Sequence, residues 1–155
     1  MFRIGFGFDS HSFEEGKPLM LGGVLVDFPK GLKGHSDGDV LLHALTDALL
    51  SAVGEEDIGQ LFSDKDPRWK DAPSSLFLKS ALERVAKKGY HILNVDCTIL
   101  ADEPKVAPIK ERIIKSLSSL LGVEPSQVSV KGKTKEGFCK EDGIACFCVV
   151  LLGKI

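Results

Sequence analysis

Asp9 and His11 stand two residues apart at the end of an expected strand. Side chains at i and i+2 of a strand share a face, about 7 Å apart along the backbone. A carboxylate and an imidazole so placed can converge on one cation. His43, inside an expected helix, offers a second imidazole. Two histidines and a carboxylate with a fourth position open form the ligand set of a zinc site that accepts substrate. Imidazole with carboxylate suits zinc over magnesium or calcium. Asp39 and Asp47 lie four residues on either side of His43, so one of them could accept the other ring N–H and fix the tautomer. Spacing alone leaves open the blander alternative, an ordinary helix histidine.

A second cluster is cationic. In Lys131-Gly132-Lys133-Thr134-Lys135-Glu136 a continued strand puts Lys131, Lys133 and Lys135 on one face and Thr134 and Glu136 on the other. Lysines offer point charges to phosphate, and Thr134 offers a hydroxyl. Glu136 is out of place beside phosphate unless a cation lies between them, a role that suits magnesium. The alternative is an edge strand guarded by lysines. A third segment, Gly34-His35-Ser36-Asp37-Gly38-Asp39, precedes a helix N-terminus, where backbone N–H groups favour an anion. His35 could add a donor there, and Ser36 or Asp37 could simply cap the helix.

These groups need a scaffold. Residues 3–9 read as a first strand whose Gly5 and Gly7 permit close backbone approach. Residues 19–28 read as a hairpin around Gly22-Gly23, followed by a glycine-rich loop over 30–38. A helix is expected over 39–53, with Val40, Leu41, Ala44, Leu45, Ala48 and Leu49 on its apolar face and Gly54 at its end. The polar stretch 55–73 reads as a long loop. A second helix runs from about 74 to 88, capped by Ser74 or Ser75 and stopped by Gly89. Strand 90–101, a helix after Pro104 and Pro108 closed by Gly122, and strands 128–134 and 144–152 complete the chain. Elements that mix without strict alternation predict an α+β fold, a mixed sheet with helices on one face, as a single domain over residues 1–155.

The chain has 155 residues and a formal net charge of −2, which argues against a nucleic-acid protein held by a basic surface. Charge is nonetheless uneven. Residues 36–71 carry nine acids and three bases, whereas residues 105–135 carry seven bases and two acids. One segment suits cations and the other anions. No apolar run approaches the roughly 18 residues of a membrane helix. The N-terminus lacks a signal or transit pattern, and Cys97, Cys139, Cys146 and Cys148 form no CxxC pair and read as buried reduced thiols. The expected setting is cytoplasmic, with no membrane and no nucleic acid as partner.

Several ordered motifs together resemble the 2-C-methyl-D-erythritol 2,4-cyclodiphosphate synthase family of the non-mevalonate isoprenoid route. They are residues 3–11 (RIGFGFDSH), 34–40 (GHSDGDV), 43–49 (HALTDAL), 57–59 (DIG), 61–67 (LFSDKDP), 94–96 (NVD) and 143–145 (GIA). The resemblance spans nearly the whole chain. It implies a lyase that converts 4-diphosphocytidyl-2-C-methyl-D-erythritol 2-phosphate into the cyclic diphosphate and CMP. It implies zinc on Asp9, His11 and His43, magnesium or manganese on Glu136, and His35 and Thr134 as catalytic positioners. Asp57, Ile58, Gly59 and the loop Phe62, Ser63, Asp64, Lys65 and Asp66 would hold the methylerythritol, and Ser36 would also bind substrate. Ala101, Lys105, Val106 and Ala107 would form the cytidine pocket, with Lys133, Thr134, Lys135 and Glu136 along the diphosphate. It implies a homotrimer with active sites between subunits. A pocket on the trimer axis, involving Phe138 and the position of Lys140, would take an isoprenoid diphosphate.

The chain departs from the family pattern in places. Phe6 stands where a histidine is common. Lys133 and Lys135 flank Thr134 where threonines are usual. The loop after Glu136 is about three residues shorter than expected. Lys140 stands where an arginine is common, which keeps the charge and loses the bidentate fork. Two other readings remain beside the cyclase: a zinc phosphohydrolase that releases a linear product, and a metal-stabilised trimer that binds isoprenoid phosphates without turnover.

Overall fold

Gly5 and Gly7 let a helix lie directly on the first strand, and the rest of the architecture is arranged around that contact. In a computed structural model describing residues 1–155, strand β1 runs over Phe2–Glu15, well past the expected end at residue 9. Asp9 and His11 therefore sit inside a strand. The hairpin is present as β2 (Leu19–Leu21) and β3 (Val24–Val26), with Gly22 and Gly23 both at positive φ in the turn. The expected glycine-rich loop begins instead with a short strand, β4 (Lys30–Leu32), paired antiparallel with the far end of β1.

Helix α1 (Val40–Ala52) begins at Asp39, whose carboxylate accepts the Leu42 N–H; neither Ser36 nor Asp37 is the cap. The stretch expected as loop contains a short helix, α2 (Ile58–Leu61), and a single 3₁₀ turn at Pro67–Trp69. Helix α3 (Ser75–Lys87) starts at Ser74, whose hydroxyl makes no cap bond, contrary to expectation. Strand β5 (Tyr90–Leu100), helix α4 (Lys110–Leu121) ending on left-handed Gly122, and strands β6 (Val128–Lys133) and β7 (Gly143–Lys154) follow.

The main sheet has the order β4-β1-β7-β5-β6 and is antiparallel except between β5 and β6. It is mixed, with α1 against β1 and β7, α3 against β5 and α4 against β6, so the α+β expectation holds. Period-two alternation sends Cys146, Cys148, Val150 and Leu152 of β7 inward, where they meet Leu41, Leu45, Leu49, Leu78, Ile113 and Leu117 from the helices. The opposite face of the sheet has no helix over it. Phe2, Ile4, Phe6 and Phe8 of β1 point outward there beside Phe147, Val149 and Leu151 of β7.

All four cysteines are free. Cys97, Cys146 and Cys148 are buried core thiols as expected, whereas Cys139 is only half-buried, in the loop before β7. Burial pushes the Cys146 thiol well above its ordinary pKa, which keeps it unreactive. No helix is long and apolar enough to cross a membrane.

Candidate metal centre and substrate cleft

The antiparallel strand β1 presents Asp9 and His11 on one face, and α1 lays His43 across them. His11 Nε2 lies 2.8 Å from Asp9 Oδ2, His43 Nδ1 lies 3.1 Å from the same oxygen, and the two ring nitrogens are 3.3 Å apart. Ligands held about 2.0–2.1 Å from a tetrahedral zinc are themselves about 3.3 Å apart. The three atoms thus stand close to the spacing a zinc ion would impose, and they form the one cluster of His, Cys, Asp and Glu side chains suited to a metal. Burial raises the pKa of the Asp9 carboxyl, but hydrogen bonds with His11 and His43 and their charge outweigh it and hold the group below the ordinary carboxylate range. Asp9 is an anion ready to bind a cation.

The remaining contacts of His43 correct the expected second partner. Asp39 is fully buried, and its carboxylate accepts the N–H groups of Gly22, Gly23 and Leu42. Asp47 accepts the N–H of Ile58 at 2.7 Å, which fastens α2 to α1. Neither bonds His43, because backbone donors already hold both carboxylates. Instead His43 Nε2 lies 2.8 Å from Ser74 Oγ and 3.1 Å from Ser36 Oγ. The helix N-terminus expected to attract an anion is likewise occupied by the Asp39 carboxylate.

The triad opens into a cleft of about 510 Å³ lined by Asp9, His11, Gly34, His35, Ser36, His43, Ile58, Gly59, Phe62, Asp64, Trp69 and Phe77. The structure therefore gathers the expected His35, Ser36, Ile58, Gly59, Phe62 and Asp64 around the triad. Four others of that group lie outside the lining. Asp57 caps α2 through the Gln60 N–H, Ser63 and Lys65 are exposed, and Asp66 is turned toward Arg68 at 2.7 Å. That hydrogen bond with Arg68 lowers the Asp66 pKa. His35 Nε2 is 2.8 Å from the Asp66 carbonyl oxygen, so the loop over 62–66 is tied back to the histidine.

Trp69 and Phe77 are cleft residues that the sequence reading missed. They pack with Phe62 into an aromatic wall, with Phe62 and Phe77 4.7 Å apart and Trp69 and Phe77 5.8 Å apart. Phe77 also stands 6.0 Å from the His43 ring. A Pro-Arg-Trp turn gives little sign from sequence that its tryptophan turns inward.

The expected cytidine residues form a separate cleft of about 320 Å³. Ala101, Lys105, Val106, Ala107, Lys110, Lys131, Gly132, Lys133 and Thr134 line it. Gly132 is needed there, since a β-carbon would lie 2.6 Å from Val106 Cβ. This cleft shares no lining residue with the triad's, so one chain does not bring Thr134 to His35.

The expected strand row beyond Lys133 is not present. β6 ends at Lys133, and Glu136 is exposed with φ 53°. Lys135 is half-buried: its backbone N–H binds Asp102 and its ammonium binds the Glu141 carbonyl. Lys131 is paired with Asp96 at 2.8 Å, as befits a lysine on the edge strand of the sheet. Glu136 lines neither cleft. Phe138 is 93% exposed, and Lys140, two residues on, is exposed as well.

A family model described as the YgbB family matches residues 2–153. A 2-C-methyl-D-erythritol 2,4-cyclodiphosphate synthase from Aquifex aeolicus (strain VF5) is 61% identical over 153 residues, covering 99% of this chain and 98% of that protein. A solved 2C-methyl-D-erythritol-2,4-cyclodiphosphate synthase in a CDP-bound form superposes with a TM-score of 0.91 at 44% identity, covering 97% of this chain and all of that one. The bifunctional IspDF from Campylobacter jejuni gives 0.94 at 39% identity, covering all of this chain and 43% of its own.

Proposed function

The chain belongs to the YgbB family of 2-C-methyl-D-erythritol 2,4-cyclodiphosphate synthases, and on that premise we propose that it turns 4-diphosphocytidyl-2-C-methyl-D-erythritol 2-phosphate into the 2,4-cyclodiphosphate and CMP. An oxygen of the substrate's own 2-phosphate forms a bond to the β-phosphorus. The bridging bond from that phosphorus to the α-phosphate oxygen breaks, and CMP departs with the electron pair. No side-chain nucleophile is required. Catalysis is then positioning and charge neutralisation around an in-line transfer. The observation that carries this reading is the convergence of Asp9, His11 and His43 in a cleft walled by Phe62, Trp69 and Phe77.

Asp9, His11 and His43 would hold a zinc ion, and the exposed Glu136 carboxylate with substrate phosphates would hold magnesium or manganese. Bound cations supply Lewis acidity and neutralise charge on the phosphates. The chain's own groups do the rest. The aromatic wall and Ile58 would seat the methylerythritol and keep water from the phosphorus. His35, anchored by the Asp66 carbonyl, would orient the 2-phosphate. The pocket of Ala101, Lys105, Val106 and Ala107 would bind cytidine, with Lys133 and Thr134 directed at the diphosphate.

That division needs more than one subunit, since the two clefts are separate. A homotrimer is the assembly we propose, with Thr134 reaching a neighbour's triad. The bare outer face of the sheet supports it, because Ile4, Phe6 and Phe8 with Val149 and Leu151 form an apolar patch of the kind that marks an interface. On the axis, Phe138 and Lys140 would offer a ring and a single cation to an isoprenoid diphosphate. Three buried reduced thiols support a cytoplasmic setting.

Phosphorus NMR of the purified protein with the cytidyl diphosphate substrate, zinc and magnesium tests the proposal. Cyclic diphosphate and CMP are expected, and a chelator should stop their formation. A linear product would assign a hydrolase, and zinc binding without turnover would assign a binding protein.

A further inference from the structure

Ser74 occupies the N-cap position of α3, where a serine ordinarily bonds the helix N–H groups, yet its hydroxyl makes no such bond. The residue is completely buried and its Oγ is turned away from the helix, toward His43 and Asp37. The geometry points to Ser74 and Asp37 as positioning residues that fix the tautomer of His43 for metal binding. This rests on the zinc reading of the triad.

Hydrogen-bond direction follows from counting donors. The Asp37 carboxylate accepts the Asp39 N–H on Oδ1 at 3.0 Å and the Ser74 N–H on Oδ2 at 3.1 Å. The Ser74 hydroxyl reaches the same Oδ1. A carboxylate offers only acceptors, and a serine has one O–H. The Ser74 proton therefore goes to Asp37. What Ser74 has left for His43 Nε2, at 2.8 Å, is a lone pair. Nε2 must carry the proton, and Nδ1, which faces Asp9 and His11, is the nitrogen left free to bind metal. A histidine metal ligand is commonly oriented in this way, by a partner on its other ring nitrogen. Here a hydroxyl stands between the imidazole and the carboxylate. The arrangement also joins the metal centre to the cleft wall, since Ser74 lies three residues before Phe77 and at the end of the segment that carries Trp69.

Ser36 is the competing partner, with Oγ 3.1 Å from the same nitrogen. It has no carboxylate behind it to dictate which way its proton points. It therefore leaves the tautomer open where Ser74 does not.

Zinc itself is the probe. Wild type, Ser74→Ala and Ser36→Ala are each titrated with zinc against a competing chelator, and metal-free melting temperatures are recorded in parallel. Zinc binding by the wild type, measured first, tests the metal reading, and its failure there would remove this inference with it. With that established, Ser74→Ala should bind zinc about 10–100-fold more weakly, and Ser36→Ala should lose less. Equal affinity in Ser74→Ala overturns the inference, as does a lowered metal-free melting temperature with zinc affinity unchanged. So does a larger loss in Ser36→Ala than in Ser74→Ala. Nitrogen-15 NMR of the zinc-loaded wild type gives a reading that does not depend on any variant folding. The Nε2 proton of His43 should exchange slowly with solvent, and rapid exchange would refute the arrangement.

Discussion

Gly7 lies so close to α1 that a β-carbon built on it would stand 1.8 Å from the Ala44 carbonyl oxygen. Gly5 meets the Ala48 carbonyl in the same way, at 1.9 Å. Two glycines of β1 thus receive the backbone of a helix whose facing positions are Ala44, Ala48 and Ala52. Asp9 follows Gly7 by two residues and His43 immediately precedes Ala44, so this contact sets the distance between a carboxylate and an imidazole of the triad. Gly7→Ala must push the helix off the strand. We expect a loss of about 3 kcal/mol or more in urea unfolding, together with loss of zinc binding. A variant with near-normal stability and zinc content would show that the helix can shift without disturbing the site.

His43→Ala removes one of the three side chains proposed to hold zinc while leaving α1 its apolar face. Zinc retention after dialysis should be lost, and cyclic diphosphate formation should fall by more than about 100-fold. Phosphorus NMR and metal analysis of the same sample check both. Removing zinc from the wild type with a chelator should reproduce the loss, and adding zinc back should restore it. Near-normal product from a clean His43→Ala sample would sink the metal reading.

The parts of this site that sequence could reveal are those set by local periodicity. Asp9 and His11 belong together because a strand repeats every two residues. The apolar face of α1 and the close approach at Gly5 and Gly7 follow from residue type and spacing. The error about Asp39 and Asp47 came from the same local rule, which places them near His43 but cannot show that Gly22, Gly23, Leu42 and Ile58 have already claimed their oxygens. Ser74 is 31 residues from His43 and arrives only through the packing of α3 on α1. The strand expected to continue to Glu136 stops at Lys133, and Glu136 beyond it takes a left-handed conformation that no glycine at that position announced.

Asp39 is a buried carboxyl with three backbone N–H partners, and burial outweighs those bonds and the Asp37 charge adds to it, so its pKa lies above the ordinary value. Such a group holds its proton more tightly folded than unfolded. Its contribution to stability is greatest below the unfolded pKa of about 3.9 and declines as pH rises from there through the folded value. Asp39→Asn abolishes this dependence and leaves one buried N–H without an acceptor, at a cost of about 1–3 kcal/mol. Urea unfolding at pH 4 and pH 7 should show a larger deficit for the variant at pH 4. A smaller deficit there would reverse the assigned direction.

Phe6 is 59% exposed on the helix-free face of the sheet, opposite Val149 in register and flanked by Ile4 and Phe8. One chain leaves this row in water, where burying each large side chain would contribute about 1.5–3 kcal/mol. A trimer that closes around this face accounts for the run of outward apolar residues on β1, and it would bring Thr134 of one subunit to the triad of another. Phe6→Glu places a charge in that apolar row, between Ile4 and Phe8 and opposite Val149. Sedimentation should show a trimer for the wild type and monomers for Phe6→Glu. Zinc binding should persist in the monomer, because Asp9, His11 and His43 all come from one chain. Cyclisation should disappear, because the Thr134 cleft would no longer reach them. Persistent turnover by a proven monomer would place both halves of the site within one subunit.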